Sequence, residues 1–159
     1  AQYVRNLYKS DTRLQIIEKN ILEVDWASLA SDQPWVLLAN LPYQITFPIL
    51  YLVQKNREMF QEGVVMVQEE VAQKLIKKKG AGYGPISVIM QLLFHMKLYY
   101  KISPKEFVPS PRVFSRIMQG KKEIQLQLDD LFQFQSFLQF HHVLNLYNLK
   151  LLYNNLLLL

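Results

Sequence analysis

The segment Asn40-Leu41-Pro42-Tyr43 combines residue types that could bind a flat heterocycle carrying an amine. The side-chain amide of Asn40 and the backbone carbonyls after it can accept hydrogen bonds from an exocyclic amine, and the ring of Tyr43 offers a stacking surface. Pro42 lacks a backbone donor and stiffens the turn. A strand-ending turn with an Asx hydrogen bond and a packed tyrosine explains the same residues without a ligand, so both interpretations stay open.

The residues before this segment place it where ligands commonly bind. The apolar run 35–40 is short and continuous, which predicts a strand buried on both faces, as in a parallel sheet covered by helices. Ligands of open α/β sheets bind beyond the carboxyl ends of the strands. The segment therefore follows a strand at the expected position of a binding site.

A second candidate is the loop Phe107-Val-Pro-Ser-Pro-Arg-Val. Its two prolines, separated by one residue, restrict the backbone, and Phe107 could form the other wall of a slot the size of a nucleobase. A rigid loop that only crosses the surface is the alternative interpretation.

The charge of the chain permits a nucleic-acid partner without requiring one. The 159 residues include 18 Lys and Arg and 13 Asp and Glu, which gives a net charge of +5. A solvated lysine face is the alternative to phosphate contacts. The candidate RNA-contacting residues are Lys77, Lys78, Lys79, Lys105, Arg112 and Arg116, with Lys101, Lys121 and Lys122 as further basic residues.

Several classes of chemistry are excluded by composition. The chain has no cysteine, which rules out disulfides, thiolate zinc sites and cysteine nucleophiles. It has three histidines, and the adjacent pair His141 and His142 would point about 100° apart on a helix. We therefore expect no metal site. The sequence also shows no Ser-His-Asp arrangement, glycine-rich phosphate loop or paired carboxylates.

The pattern of apolar residues predicts alternating strands and helices, which indicates an α/β domain. Strands are expected within 14–26 (before a loop at Lys19 and Asn20), at 35–40, at 63–68 and through 116–118. Helices are expected at 45–56, 69–80 and 126–140, with a helix running into a strand over 83–102 and a proline-punctuated loop at 103–115.

The two ends of the chain differ from the middle. The first residues look like the inside of a helix, which favours a fragment of a longer protein. Residues 142–159 contain nine leucines and four asparagines, and a buried helix is a better interpretation than a membrane span because of those asparagines. We therefore divide the chain into a domain at 1–122 and a helical C-terminal segment at 123–159.

Taken together, the motifs resemble one known family. NLPYQITFPIL (40–50), VQEEVAQKLIKKKGAGYGPISVIMQ (67–91) and FVPSPRVFS (107–115) match in order and spacing the small-subunit ribosomal RNA adenine N6,N6-dimethyltransferases of the KsgA type, over about residues 14 to 118. The resemblance implies a Rossmann-like methyltransferase sheet with helices on both faces, incomplete at the N-terminus and followed by a short helical tail. It also implies transfer of methyl groups from S-adenosylmethionine to two adjacent adenines, as part of ribosome biogenesis.

The resemblance assigns roles to individual residues. Asn40 would lie near the methionine end of the cofactor and near the target amine, which its amide oxygen and the carbonyl of Leu41 or Pro42 would bind. Tyr43 and Phe107 would stack on the base. Asn20, followed by Ile21, stands where the family places an aspartate beside the cofactor adenine.

The sequence also departs from the family pattern. The glycine-rich cofactor loop and the acidic ribose-binding residue would lie upstream of residue 1, so we expect weak cofactor binding by these 159 residues alone. Phe114 replaces a usual aspartate, and after Met118 the match fades.

The expected partner is small-subunit rRNA or the immature small subunit. The protein is expected to be a monomer without membrane contact, in the cytoplasm or an organelle. Two alternatives remain: an Erm-type methyltransferase of large-subunit rRNA, and a non-catalytic RNA-binding or ribosome-assembly protein that kept the base pocket.

Overall fold

The computed structural model describes residues 2–29 and 34–122. The helices are α1 (Gln2–Leu7), α2 (Thr46–Lys55), α3 (Glu69–Leu75) and α4 (Pro85–Leu93), and the strands are β1 (Trp35–Asn40), β2 (Phe60–Gln68), β3 (Phe94–Ile102) and β4 (Ser115–Lys122). Short 3₁₀ turns occupy Ile21–Glu23, Ala27–Leu29, Tyr43–Ile45, Arg57–Met59 and Pro104–Glu106. The segment 123–159, with the helix expected at 126–140, lies outside the described residues.

The four strands form one mixed sheet in the order β1-β2-β4-β3. β1 pairs with β2 in parallel, as predicted, whereas β4 is antiparallel to both β2 and β3. Ser115, at the start of β4, pairs with Gln68 on one side and Ile102 on the other. The ends of β1, β2 and β3 and the start of β4 therefore share one edge of the sheet.

Helices α2, α3 and α4 build a single core against one face of this sheet. Their apolar residues pack with Val65, Val67 and Met118 of the central strands. At one end of the core, Trp26 meets Phe60 edge to face, with ring centroids 5.4 Å apart. Of the helices on both faces that the family resemblance implies, the described residues supply these three, on one face.

The prediction that β1 is buried on both faces is wrong. Its residues alternate, and Val36 and Leu38 are 64% and 82% exposed. Within the described residues no element packs over these two side chains. A continuous apolar run cannot show by itself whether one face of a strand is covered or two.

The strand predicted within 14–26 is also wrong. Residues 14–18 have no regular structure, and the side chain of Asn20 accepts a hydrogen bond from the backbone of Leu22 to open the turn Ile21–Glu23. A strand is stable only beside a partner that pairs with its backbone groups, and no described strand runs along this segment. β2 starts at Phe60, before the predicted residue 63, and β4 extends on both sides of 116–118.

The helix predicted at 69–80 ends five residues early, at Leu75. Side chains of α4 bind the carbonyls that the end of a helix leaves open: Ser87 Oγ donates to Lys74, and Gln91 Nε2 donates to both Leu75 and Lys77. These tertiary hydrogen bonds replace the next helical turn. The predicted helix-to-strand junction within 83–102 is confirmed, at Leu93 and Phe94.

Candidate functional site

The segment Asn40–Tyr43 forms a tight connection between β1 and α2. Asn40 is the last residue of β1 and is exposed, whereas Leu41 is buried and its N–H donates to the Met66 carbonyl of β2 at 3.1 Å. This bond holds the turn against the end of the neighbouring strand. The amide of Asn40 is thereby presented at the sheet edge, open to solvent.

The sequence left the Leu41 and Pro42 carbonyls as alternative acceptors, and the turn uses these two carbonyls differently. The Pro42 carbonyl accepts from the N–H of Ile45 and from the hydroxyl of Thr46, both at 3.1 Å, and Thr46 is fully buried. The Pro42 oxygen is thus used by the turn itself. These turn bonds do not use the Leu41 carbonyl, which follows Asn40 directly.

Tyr43 is held in place through its hydroxyl. The Tyr43 and Ser115 hydroxyls are 2.6 Å apart, and Ser115 is completely buried at the start of β4. The tyrosine is half-buried, so part of its surface remains open. The packed tyrosine and the stacking surface considered from sequence are therefore compatible, because one end of the side chain is anchored.

A bidentate ion pair braces the same edge. Arg116 donates to both carboxylate oxygens of Glu69, at 2.7 and 2.8 Å, and to the Tyr99 carbonyl at 2.8 Å. The Glu69 N–H in turn donates to the Phe114 carbonyl at 2.9 Å. The hydrogen bonds from Arg116 lower the pKa of Glu69 from 4.5 to about 2, against a smaller opposing effect of desolvation.

This pairing gives Arg116 a different place from the phosphate contact predicted for it. Its side chain is 18% exposed, and its guanidinium donors are directed at Glu69 and the backbone of β3. A phosphate would have to displace a carboxylate that already fits the fork of the guanidinium. Arg116 therefore braces the sheet edge.

Phe107 lies on the loop that joins β3 to β4, at the same edge of the sheet. The Ser103 hydroxyl accepts from the N–H of Lys105, and the Ser110 hydroxyl donates to the Pro104 carbonyl at 2.8 Å. The peptide bond between Val108 and Pro109 is cis. Phe107 itself is half-buried. The side chains of the loop therefore hydrogen-bond to its own backbone, which restricts the backbone that carries Phe107.

The predicted cofactor residues Asn20 and Ile21 form a turn that packs against α2, the helix that follows Asn40–Tyr43. Asn20 accepts from the Leu22 N–H at 3.1 Å and donates to Glu23 at 2.9 Å, while the Ile21 side chain is 38% exposed. The amide oxygen keeps a second lone pair, and Ile21 offers an apolar surface. Both features fit an adenine ring.

The remaining basic residues separate into two groups. Lys77, Lys78 and Lys79 lie in the turn after α3, where the Lys77 ammonium donates to the Ala81 carbonyl. Lys105 and Arg112 are exposed on the loop that carries Phe107. The loop pair therefore adjoins the edge that holds Asn40 and Tyr43.

Sequence reasoning missed three parts of this site: Thr46, Ser115 and the role of Glu69, which was explained by its place at a helix start. Each acts through a partner. A Thr four residues after Pro42 was the one local signal, because a threonine hydroxyl can reach the carbonyl four residues back. Ser115 and Glu69 meet partners 72 and 47 residues away, which no local pattern reveals.

The fold and site define an α/β protein of the Rossmann-like methyltransferase class. Two solved structures share this fold. A dimethyladenosine transferase from Plasmodium falciparum aligns over 82% of this chain and 47% of its own, with a TM-score of 0.65 and 22% identity. The 23S rRNA methyltransferase ErmE aligns over 86% and 54%, with a TM-score of 0.65 and 19% identity.

The family is shown by sequence. The family model described as ribosomal RNA adenine dimethylase matches residues 1–153, and this chain belongs to that family. Ribosomal RNA small subunit methyltransferase A of Halothermothrix orenii is 36% identical over 127 residues, which are 76% of this chain and 42% of that protein. The protein of the same name from Chlorobium phaeobacteroides is 33% identical over 139 residues, 87% of this chain and 51% of that protein. The chain thus spans about half the length of these relatives.

No described helix has the length and apolar character that crossing a membrane requires. Nor do the described ranges bring three or more His, Asp or Glu side chains together in a way that could hold a metal ion.

Proposed function

We propose that this chain forms part of the catalytic domain of an S-adenosylmethionine-dependent methyltransferase that dimethylates the exocyclic amine of two adjacent adenines in small-subunit rRNA. The observation that carries the proposal is the pair of acceptors at the end of β1. The exposed amide of Asn40 stands next to the Leu41 carbonyl, while the Pro42 carbonyl is used by Ile45 and Thr46. Two adjacent acceptors match the two N–H groups of an aromatic amine.

These acceptors would act by orientation. The lone pair of an adenine amine is delocalised into the ring, so the amine is a poor nucleophile and depends on correct alignment. The Asn40 oxygen would accept one N–H and the Leu41 carbonyl the other, which aims the remaining lobe of the nitrogen at the incoming methyl. The bond from Leu41 to Met66 supports this alignment by fixing the turn to β2.

Tyr43 and Phe107 would hold the base itself. Extruding an adenine from folded RNA costs a few kcal/mol, and stacking on an aromatic side chain returns roughly 1–3 kcal/mol per base. The anchored hydroxyl of Tyr43 and the cross-tied loop of Phe107 limit the freedom of both rings before the base arrives. Less entropy is then lost on binding.

S-Adenosylmethionine would supply an electrophilic methyl group on a sulfonium centre. Asn20 and Ile21 would bind its adenine, the former through the free lone pair of its amide oxygen and the latter through its exposed side chain. Asn40 would lie at the methionine end. The turn that Asn20 opens and the turn Tyr43–Ile45 both contact α2, which supports placing the two ends of the cofactor along one site.

The RNA partner is proposed to be small-subunit rRNA or the immature small subunit, bound by the protein as a monomer in the cytoplasm or in an organelle. Lys105 and Arg112 are exposed on the loop of Phe107 and are the best-placed phosphate contacts. The name of the curated relatives supports the small subunit. A large-subunit substrate of the Erm type stays the nearest enzymatic alternative.

The test is Asn40→Ala in the intact protein that contains this chain. Methyl transfer from labelled S-adenosylmethionine to unmethylated small-subunit RNA should fall by roughly 100-fold or more, the usual effect of removing one oriented hydrogen bond from a reacting group. RNA affinity should stay within a few-fold. Gln44→Ala, which removes an exposed amide from the next turn, is the matched control and should retain full activity.

Each contrary outcome has a distinct meaning. Unchanged methyl transfer by Asn40→Ala would refute the proposed role of the amide. Tight RNA binding without methyl transfer by the wild-type protein would favour the non-catalytic alternative. Preferential methylation of large-subunit RNA would favour the Erm-type alternative.

A further inference from the structure

Strand β3 and the loop after it concentrate the positive charge of the chain at one border of the sheet. β3 is an outer strand, paired only with β4 within the described residues. Residues 94–114 contain three lysines, one arginine and a single carboxylate, Glu106. These 21 residues therefore supply +3 of the net charge of +5. Lysines on an outer strand also prevent pairing with other strands, so charge alone does not identify a binding surface.

β3 also contains a bulge, and the need to prevent pairing with other strands does not explain what this bulge exposes. Leu98 pairs with Met118 and Lys101 with Arg116, so β3 has one more residue than β4 over this stretch. Tyr99 is held by its hydroxyl, which donates to Gln119 at 2.7 Å. Tyr100 is 77% exposed. Bulges redirect side chains, and this one turns an aromatic ring into solvent on a basic strand.

Lysines lie on both sides of Tyr100 along the chain, and each contacts another aromatic ring. The Lys97 ammonium lies 5.0 Å from the centre of the Tyr99 ring, and the Lys101 ammonium lies 4.4 Å from the centre of the Phe114 ring. The two lysines are four positions apart along β3, a distance of about 13 Å. Proteins bind single-stranded nucleic acids by combining basic residues with aromatic side chains, because phosphates pair with the cations and bases stack on the rings.

The surface is continuous with the candidate site. β3 ends at Ile102, at the same sheet edge as Asn40, and runs directly into the loop that carries Lys105 and Phe107. RNA that extends from a base held by Phe107 would therefore meet Lys105 first and Tyr100 next.

We propose that Lys97, Tyr100, Lys101 and Lys105, here named the β3 ledge, bind single-stranded RNA that flanks the target adenine. Tyr100 stacks on one base, and the three lysines contact phosphates. This inference rests on the proposed function, because it takes the adenine site as the starting point of the RNA path.

The experiment measures binding of a fluorescently labelled, adenine-containing 12-nucleotide single-stranded RNA by anisotropy. Tyr100→Ala should weaken binding by about 5- to 100-fold, the range for loss of one stacked base. Tyr100→Phe should restore it, because the ring and not the hydroxyl makes the contact. Tyr51→Ala is the matched control, since Tyr51 is also exposed but lies on α2, which follows β1 at the opposite border of the sheet.

Salt dependence tests the lysines separately. The double variant Lys97→Ala with Lys105→Ala should reduce the slope of log K against log salt by about 1.4, or 0.7 per phosphate contact on a single strand. Lys55→Ala, at the end of α2, should leave the slope unchanged. Circular dichroism of each variant checks folding, and Tyr100→Thr, which suits a strand but lacks the ring, repeats the test if the alanine variant is unstable.

The outcomes separate this inference from the proposed function. Equal binding by the Tyr100→Ala and Tyr51→Ala variants would overturn the β3 ledge and leave the Asn40 test of catalysis unaffected. If Tyr100→Ala weakens binding of a poly-glutamate peptide as much as it weakens binding of the RNA, the surface would be assigned to an acidic protein partner. That result would also overturn the β3 ledge as an RNA-binding surface. Loss of RNA binding in Tyr100→Ala, together with unchanged methyl transfer in Asn40→Ala, would support the ledge and refute the proposed catalytic role.

Discussion

Replacing Glu69 by glutamine should destabilise the protein in a way that depends on pH. The Glu69 carboxylate accepts two hydrogen bonds from Arg116 and one from Gln73, and its pKa is lowered from 4.5 to about 2. A pKa that is lower in the folded state means that the ionised form stabilises the fold. This stabilisation is complete well above pH 4.5 and is lost as the pH falls through that value towards about 2.

The magnitude follows from the two pKa values. The difference between 4.5 and about 2 corresponds to an upper limit of about 3.4 kcal/mol of stability at pH 7. The Glu69 and Arg116 side chains are 20% and 18% exposed, so water reaches the pair and screens it. We therefore expect the free energy of unfolding to fall by about 1–2 kcal/mol in Glu69→Gln at pH 7. At pH 3 the difference should be less than half of that.

Urea unfolding of wild type and variant at pH 7 and pH 3 measures both quantities. Glu70→Gln removes the neighbouring carboxylate, which is exposed, and should change stability by less than about 0.5 kcal/mol at either pH. An equal effect of Glu69→Gln at pH 7 and pH 3 would refute the assignment of the stabilisation to the ionised carboxylate. Equal effects of the two variants at pH 7 would show that the pair with Arg116 contributes nothing specific.

Two further predictions concern the tyrosine anchor and the core. Tyr43→Phe removes the 2.6 Å hydrogen bond to buried Ser115 and should lower stability by about 1–2 kcal/mol, because the serine hydroxyl loses its partner. Methyl transfer by the intact protein should fall less in Tyr43→Phe than in Tyr43→Ala, which also removes the stacking ring; equal losses would contradict the stacking role. Gly63→Ala should raise the free energy of unfolding by about 0.5–1 kcal/mol, and with it the thermal midpoint. The added methyl group would face a small cavity of about 40 Å³ and meet its neighbours at ordinary contact distances. Gly120→Ala is its matched comparison and should be less stable than Gly63→Ala, since its methyl group would lie 3.1 Å from the sulfur of Met96; the reverse order in thermal melts would contradict the packing described.

Some elements could be predicted from sequence because their signals are local. The strand 35–40 is confirmed to the residue, because an apolar run stopped by Asn-Leu-Pro leaves little choice of boundary. The strand predicted within 14–26 is wrong, because its stability depends on a neighbouring strand and its own residues do not encode one. The exposure of Val36 and Leu38 has the same origin: the sequence of β1 says nothing about which faces its neighbours cover.

The candidate site divides in the same way. The motif from Asn40 to Tyr43 could be proposed from residue types and position, but the use of the Pro42 carbonyl by the turn became visible only through the contact from buried Thr46. The pairing of Arg116 with Glu69 spans 47 residues, and the sequence alone left a phosphate contact and a solvated basic face as alternatives for that arginine. Interactions between distant segments are therefore where sequence reasoning failed.

These distant interactions also explain how the site is held together. Asn40–Tyr43 and the loop of Phe107 are far apart in sequence, and each is attached to the central strands. The first is attached through the bonds from Leu41 to Met66 of β2 and from Tyr43 to Ser115 of β4. The second is attached through the bond to the Phe114 carbonyl from the N–H of Glu69, the residue that follows β2. Since β2 and β4 are hydrogen-bonded neighbours, the proposed acceptors for the amine and the proposed stacking loop are attached to the same pair of strands. The proposed alignment of a weak nucleophile depends on such rigid attachment more than on a strong acid or base, because a small misalignment of the amine already costs rate.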